Sequence, residues 1–306
     1  MSPLRLLTDL AWKLQCRLNW RLPGSPKLAS PDPVTFVARG QSLDPSAVRA
    51  RGEAPYLCVV ITTHARVWPC ESLLDQLYRA LREAELDQRT FVLVLEDPSG
   101  HDYRPVLELL AQRFPGRFAF MTATRRLGKA GRCFAYQTAF AAERALDPEL
   151  TLFLEDDAVI GPSFMREALA RWQEIDDPEK TVLYLCAFED DEPQGRWVRF
   201  ARRALPSGHV QLTQWFDLQA FLVSRRFFEH LGHTLFRPWP SRWRGEPSRS
   251  SGVSEQFTLR LFGRGNIYQV CQTLALHGGV PSVLNAEARK RRPLNNHPRP
   301  QSLGAT

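Results

Sequence analysis

The sequence predicts an α/β protein in which a mostly parallel sheet is sandwiched by helices, with a short amphipathic helix ahead of it. Three observations carry this. Short apolar runs, YLCVVIT (56–62), TFVLVL (90–95) and LTLFL (150–154) among them, have the length of buried strands. Between them lie stretches with apolar residues every three or four positions, and strands alternating with helices argue for a parallel sheet. The chain has 306 residues, 43% hydrophobic and 24% charged, which excludes disordered, collagen-like and disulfide-scaffold classes. A chain of this length buries a core without a structural metal, so any metal it binds is expected to be functional.

From the N-terminus, Leu4, Leu7, Leu10, Leu14 and Leu18 recur at helical spacing with Arg5, Lys13, Arg17 and Arg21 around them. A basic amphipathic helix of this kind either lies on a membrane surface or docks on its own domain. Residues 23–33, rich in Pro, Ser and Gly, read as a linker, so that residues 1–54 form helix and linker. A main domain is expected over 55–285, followed by a basic tail over 286–306. Within the domain the spacing predicts strands at 56–62, 90–95, 117–122, 150–154 and 181–188. Helices are predicted at 70–84, 103–114, 131–146 and 162–175.

Lys and Arg number 40 against 33 Asp and Glu, for a net charge of +7, and only five of the 40 are lysines. An arginine-borne positive field favours phosphate-bearing partners, because the guanidinium fork matches phosphate oxygens. The six cysteines, Cys16, Cys58, Cys70, Cys133, Cys186 and Cys271, show no C-x-x-C pair, so buried thiols in a reducing compartment are expected. No run reaches the ~18 apolar residues of a membrane span, and the N-terminal residues lack an apolar core of signal-peptide type. These readings predict a cytoplasmic location, peripheral at a membrane if the first helix binds one.

Ligands of such sheets sit beyond the carboxyl ends of the strands. There the sequence places Thr62-Thr63-His64-Ala65-Arg66, Glu96-Asp97-Pro98-Ser99-Gly100 and Glu155-Asp156-Asp157. The first two double as capping and turn chemistry. Three successive carboxylates at the lip of a buried strand repel one another, and a hard cation such as Mn²⁺ or Mg²⁺ relieves that repulsion while leaving positions for substrate phosphates. Upstream, Arg125-Arg126-Leu127-Gly128-Lys129-Ala130-Gly131-Arg132 runs into a helix, and backbone donors at a helix start beside Lys129 and Arg132 suit a diphosphate. Its spacing fits neither G-x-G-x-x-G nor the Walker pattern.

In this order the pieces resemble a glycosyltransferase of the GT-A fold. VVITTHAR (59–66), LEDPSG (95–100) and RLGKAGR (126–132) are similar to the first-strand signature, the nucleoside-holding acidic turn and the Gly-rich loop of family-2 enzymes. FLEDDAVIGPSF (153–164) resembles their D-x-D region, in the EDD form also seen in N-acetylglucosaminyltransferase I-like enzymes. The resemblance implies that Asp97, with Glu96 beside it, contacts the base of a nucleotide-sugar donor, that Thr63 and Arg66 line the same pocket, and that Arg126, Gly128, Lys129 and Arg132 meet the diphosphate. Asp157 is implied as the direct metal ligand, with Glu155 and Asp156 at the metal shell or the donor's ribose and sugar. Glu155 stands where the family usually has Asp.

Further on, residues 215–226 are similar to the segment before the family's catalytic helix, with Trp215 and Phe216 as stacking or core aromatics. Ser254-Glu255-Gln256 resembles the acidic helix start whose carboxylate is the catalytic base, which implies that role for Glu255; alternatively Glu255 only complements the helix dipole. LHGG (276–279) resembles the family's H-x-G ending and implies His277 at the metal or diphosphate. The implied function is inverting, metal-dependent hexosyl transfer to an acceptor hydroxyl on an envelope glycan, a lipid or a modified DNA base. Basic stretches at 239–249 and 289–299 suit nucleic acid or anionic lipid headgroups. A nucleotidyltransferase with a similar metal site, or a non-catalytic nucleic-acid-binding module, are the alternatives.

Overall fold

A computed structural model describes Leu10, Leu14 and residues 36–50, 54–126, 128, 131–187, 201–205, 208–212, 218–235 and 251–278. Strand β1 (Phe36–Ala38) and helix α1 (Pro45–Ala50) come first. β1 pairs antiparallel with a later strand at the sheet edge, so the sheet takes up residues ahead of the boundary read at residue 55. Only three residues long, with Val37 half exposed, β1 has too short a pattern to be told from linker.

β2 (Leu57–Thr63), β3 (Thr90–Glu96), β4 (Phe118–Ala123) and β5 (Leu150–Glu155) are dominated by Val, Ile, Leu, Phe and Thr. Such strands suit a sheet covered on both faces. They lie in the order β4-β3-β2-β5, all parallel, as the expected α/β class requires. β5 continues through a two-residue turn into β6 (Ala158–Ile160). Beyond β5 the sheet includes β7 (Lys180–Tyr184), β8 (Ala201–Ala204), β9 (Val210–Leu212), β10 (Ala220–Ser224) and β11 (Asn266–Gln269). β10 inserts antiparallel between β5 and β7, β11 runs parallel to β7, and β9 and β8 close the edge antiparallel. β12 (Ala275–His277) pairs with β6 in a separate ribbon, with His277 opposite Ala158.

Helix α2 (Val67–Glu83) starts three residues before the predicted position. Pro69 does not delay it, because first-turn residues have no intrahelical use for an N–H donor. Its buried face, Cys70, Leu73, Leu74, Leu77, Ala80 and Leu81, follows the helical period. α3 (Arg104–Arg113), α4 (Gly131–Leu146) and α5 (Phe164–Glu174) match the predicted helices to within two residues. α6 (Arg225–His230) follows β10, and α7 (Val253–Leu261) precedes β11.

An aromatic cluster ties α4, α6 and α7 to the centre of the sheet. Tyr136 stacks on Phe153 with centroids 5.1 Å apart, Phe153 on Phe221 at 4.8 Å, and Phe257 meets Tyr136 and Phe227 edge-on. Offset and T-shaped pairs of this kind add to plain area burial. Cys58, Cys70, Cys133 and Cys186 are buried, whereas Cys271 is exposed; Cys16 lies outside the described residues. Among the described residues no helix is long and apolar enough to cross a membrane.

Candidate active site at the carboxyl rim of the sheet

The carboxyl ends of β2, β3 and β5 lie side by side, Thr62 opposite Glu155 and Thr63 opposite Glu96. Asp156 and Asp157 form the turn between β5 and β6. Backbone bonds from Asp156 N to Thr62 O (3.3 Å) and Gly278 N to Asp157 O (2.7 Å) pin that turn, and both side chains are buried. Adjacent carboxylates out of water need compensating charge. Arg66, at the start of α2, supplies it: one guanidinium nitrogen, Nη1, lies 2.9 Å from Asp156 Oδ1 and 2.5 Å from Asp157 Oδ2.

Asp156 has further donors in Thr63 Oγ1 at 2.8 Å and His64 N at 3.4 Å. Burial still pushes its carboxyl up to about 7, the Asp157 charge adding to the rise while Arg66 and Thr63 oppose it. Burial works to lower the Arg66 pKa, but Asp156 and Asp157 outweigh it and hold the guanidinium above its ordinary value. Because the Thr63 proton goes to Asp156, the Tyr103 hydroxyl 2.8 Å away donates to Thr63 and itself accepts from Arg66 N at 3.2 Å. His64 and Tyr103 are thus parts of the site that the sequence reading did not single out. His64 lies inside a flagged cluster but was given no role of its own; Tyr103, forty residues from Thr63, carries no local signal.

Asp97 closes the next part of the rim. Its Oδ2 accepts from Gly128 N at 3.1 Å, and its carbonyl accepts from His64 Nδ1 at 2.8 Å, leaving His64 Nε2 toward Arg126, 3.5 Å away. Gly128 has φ of +58°, a left-handed turn that aims its N–H at the carboxylate. Glu96 points into the sheet and accepts from Thr122 Oγ1 at 2.7 Å, so of the two acids Asp97 is the one nearer the open rim. Arg132, in the first turn of α4, is bound to Glu155. Burial raises the Glu155 pKa, but Arg132, with His277 and Arg66 behind it, leaves the carboxyl below its ordinary value. Lys129 lies outside the described residues, as do Trp215, Phe216 and the basic stretches.

Asp157 differs from its neighbours. Both of its carboxylate oxygens are buried and accept no hydrogen bond from the described residues; Oδ2 instead faces two cationic or imidazole nitrogens, Arg66 Nη1 and, at 3.2 Å, His277 Nε2. Among the described residues no group of three or more His, Cys, Asp and Glu side chains is gathered to hold a metal ion. A buried carboxylate without hydrogen bonds, with an imidazole beside it, does fit a Mn²⁺ or Mg²⁺ held by one or two protein ligands and completed by phosphates and water.

Glu255 sits half buried in the first turn of α7, while Gln256 turns wholly into the core. The start of α7 adjoins the start of α4, with Cys133 Sγ 3.9 Å from Ser251 O. That same first turn of α4 carries Arg132, which holds Glu155. On the opposite rim, where β2, β5 and β7 begin, lies a cavity of about 680 Å³. Its cations are already engaged: Lys180 bonds the carbonyls of Trp172 and Ile175, and Arg225 pairs with Asp147 at 2.6 Å.

Neither a protein-family model nor a curated protein matches the chain. Among solved structures, it is similar to the mannosyltransferase PcManGT of Pyrobaculum calidifontis, whose structure holds GDP-Man and Mn²⁺: 17% identity, 74% of this chain and 55% of that one, TM-score 0.44. Two S. aureus TarS structures are similar as well. Residues 1–349 of TarS give 15% identity, 71% of this chain and 60% of that one, TM-score 0.45. The other TarS structure gives 14% identity, 71% and 36%, TM-score 0.46. The chain thus spans less than two thirds of the length of each.

Proposed function

We propose that the protein is a metal-dependent, inverting glycosyltransferase of the GT-A type that moves a sugar from a nucleotide-diphosphate donor to an acceptor hydroxyl. The observation that carries this reading is the joining of three strand-end clusters, around Arg66, Asp97 and Asp157, into one hydrogen-bonded and ion-paired rim. Nucleotide ligands of doubly wound sheets bind in that position.

In this reading Asp157 and His277 would hold the cation, while Glu155 stays on Arg132 and Asp156 on Thr63 Oγ1 and His64 N. A bound Mn²⁺ or Mg²⁺ supplies Lewis-acid neutralisation of the departing diphosphate. Asp97 and the Gly128 turn shape the nucleoside end of the cleft, and Arg126, Lys129 and Arg132 face the phosphates. Glu255 takes the acceptor's hydroxyl proton as the oxygen forms its bond to the anomeric carbon; the bond to the diphosphate breaks on the opposite face and its electron pair leaves with the phosphate. A nucleotidyltransferase would instead release pyrophosphate.

The acceptor side we read as a membrane surface carrying a lipid-linked or envelope glycan. Leu10 and Leu14, one helical turn apart, are each 56% exposed, which favours an interfacial helix over one docked on its own domain.

The test is a thermal-shift screen of nucleotide sugars with and without Mn²⁺. A donor that stabilises the protein only with Mn²⁺ is expected, and no response to any donor would end the proposal. Glu255→Gln should keep donor binding and lose transfer by about 10²–10⁴-fold; unchanged turnover would put the base elsewhere.

A further inference from the structure

We infer that Arg66 is a built-in competitor of the divalent cation: it occupies Asp157 until a nucleoside diphosphate draws it away, so that cation and donor bind cooperatively. The inference rests on the metal-dependent donor reading above and adds a device to it. One nitrogen, Arg66 Nη1, bridges Asp156 and Asp157, and the two acids differ in what remains without it. Asp156 keeps Thr63 Oγ1 and His64 N. Asp157 accepts no hydrogen bond from the described residues, and its Oδ2 then faces only His277 among the ion-pair partners described above.

A cation seated at Asp157 therefore meets a guanidinium already on the same oxygen, and two positive groups around one oxygen repel. Arg66 can exchange that contact for phosphate oxygens. Its backbone N–H is anchored on the Tyr103 hydroxyl, so its side chain can turn without disturbing the start of α2. At the rim its fork matches the oxygens of an arriving diphosphate. When Arg66 moves to phosphate, the bared Asp157 carboxylate accepts the cation. Each ligand thus removes the obstacle to the other, which is positive coupling and must be reciprocal.

Binding of MnCl₂, followed by the electron paramagnetic resonance of free Mn²⁺, tests this in the wild type, Arg66→Gln and Arg66→Lys, with and without UDP or GDP. In the wild type a nucleoside diphosphate should tighten Mn²⁺ by roughly 5–150-fold, the usual span of such coupling, and Mn²⁺ should tighten the nucleotide equally. Arg66→Gln should bind Mn²⁺ alone about tenfold more tightly and lose most of the coupling. Arg66→Lys, which keeps the charge but not the fork, should fall between them. It carries the comparison if the neutral variant fails to fold, which a thermal melt reads.

Variants that bind Mn²⁺ no more tightly than the wild type, with coupling intact, would overturn the role of Arg66 and leave the donor reading standing. Additive binding in the wild type overturns it equally. A wild type that binds neither Mn²⁺ nor nucleotide sinks both.

Discussion

Glu143 is buried within α4, away from the rim, and its Oε2 accepts no hydrogen bond from the described residues. Burial pushes its carboxyl up to about 7, Arg225 opposing while Asp147 and Glu229 add to the rise. His233 Nδ1 lies 3.4 Å away, but burial and Arg144 hold the imidazole below its ordinary value, so it is a poor counter-charge. The folded pKa exceeds the unfolded one, so between the ordinary 4.5 and about 7 the folded state holds the extra proton. Its contribution is complete below that window and is lost as pH rises through it. Glu143→Gln should therefore flatten the fall in urea midpoint between pH 5 and pH 8; parallel curves for variant and wild type would contradict this. Asp156, also raised to about 7, slopes the same way. Neither shift was legible from sequence, because both come from burial set by distant segments.

At the scale of elements, the β6–β12 ribbon decides the geometry of the acidic turn. Gly278 N bonds Asp157 O, and a Cβ on Gly278 would stand 2.8 Å from that oxygen, a backbone atom that cannot turn aside. Gly278→Ala should leave the large sheet folded by circular dichroism while weakening Mn²⁺-dependent nucleotide binding by roughly tenfold, the lower end of what displaced supporting groups cost a metal site. Unaltered binding would mean that the ribbon does not set the turn. Most elements were legible where a period repeats: the 3–4 spacing of α2 and the apolar runs of β2, β3 and β5 fixed kind and approximate place. β7 was predicted to residue 188 but ends at Tyr184, because the chain there exchanges neighbours. Leu185 N bonds Ala220 O, Leu185 O accepts from Leu274, and Ala187 N bonds Thr273 Oγ1. Such exchange leaves no trace in hydrophobic period.

For the whole molecule, a charge of +7 borne mostly by arginine and a pair of exposed leucines one helical turn apart lead to a prediction about location. The protein should float with vesicles containing anionic lipid, less so as salt rises. The double variant Leu10→Asp, Leu14→Asp should remain in the soluble fraction, and equal flotation of both would remove the membrane from the proposal. The sequence by itself determined the α/β class and which polar residues stand where strands end, because periodicity and strand-end position are properties of neighbouring residues. Only the tertiary structure decided that Glu96 turns inward to Thr122, that Tyr103 backs Thr63, and that one guanidinium spans both aspartates. Those contacts join residues 26, 40 and 90 positions apart, and the relative placement of such residues is set by how strands and helices pack, which no local pattern encodes.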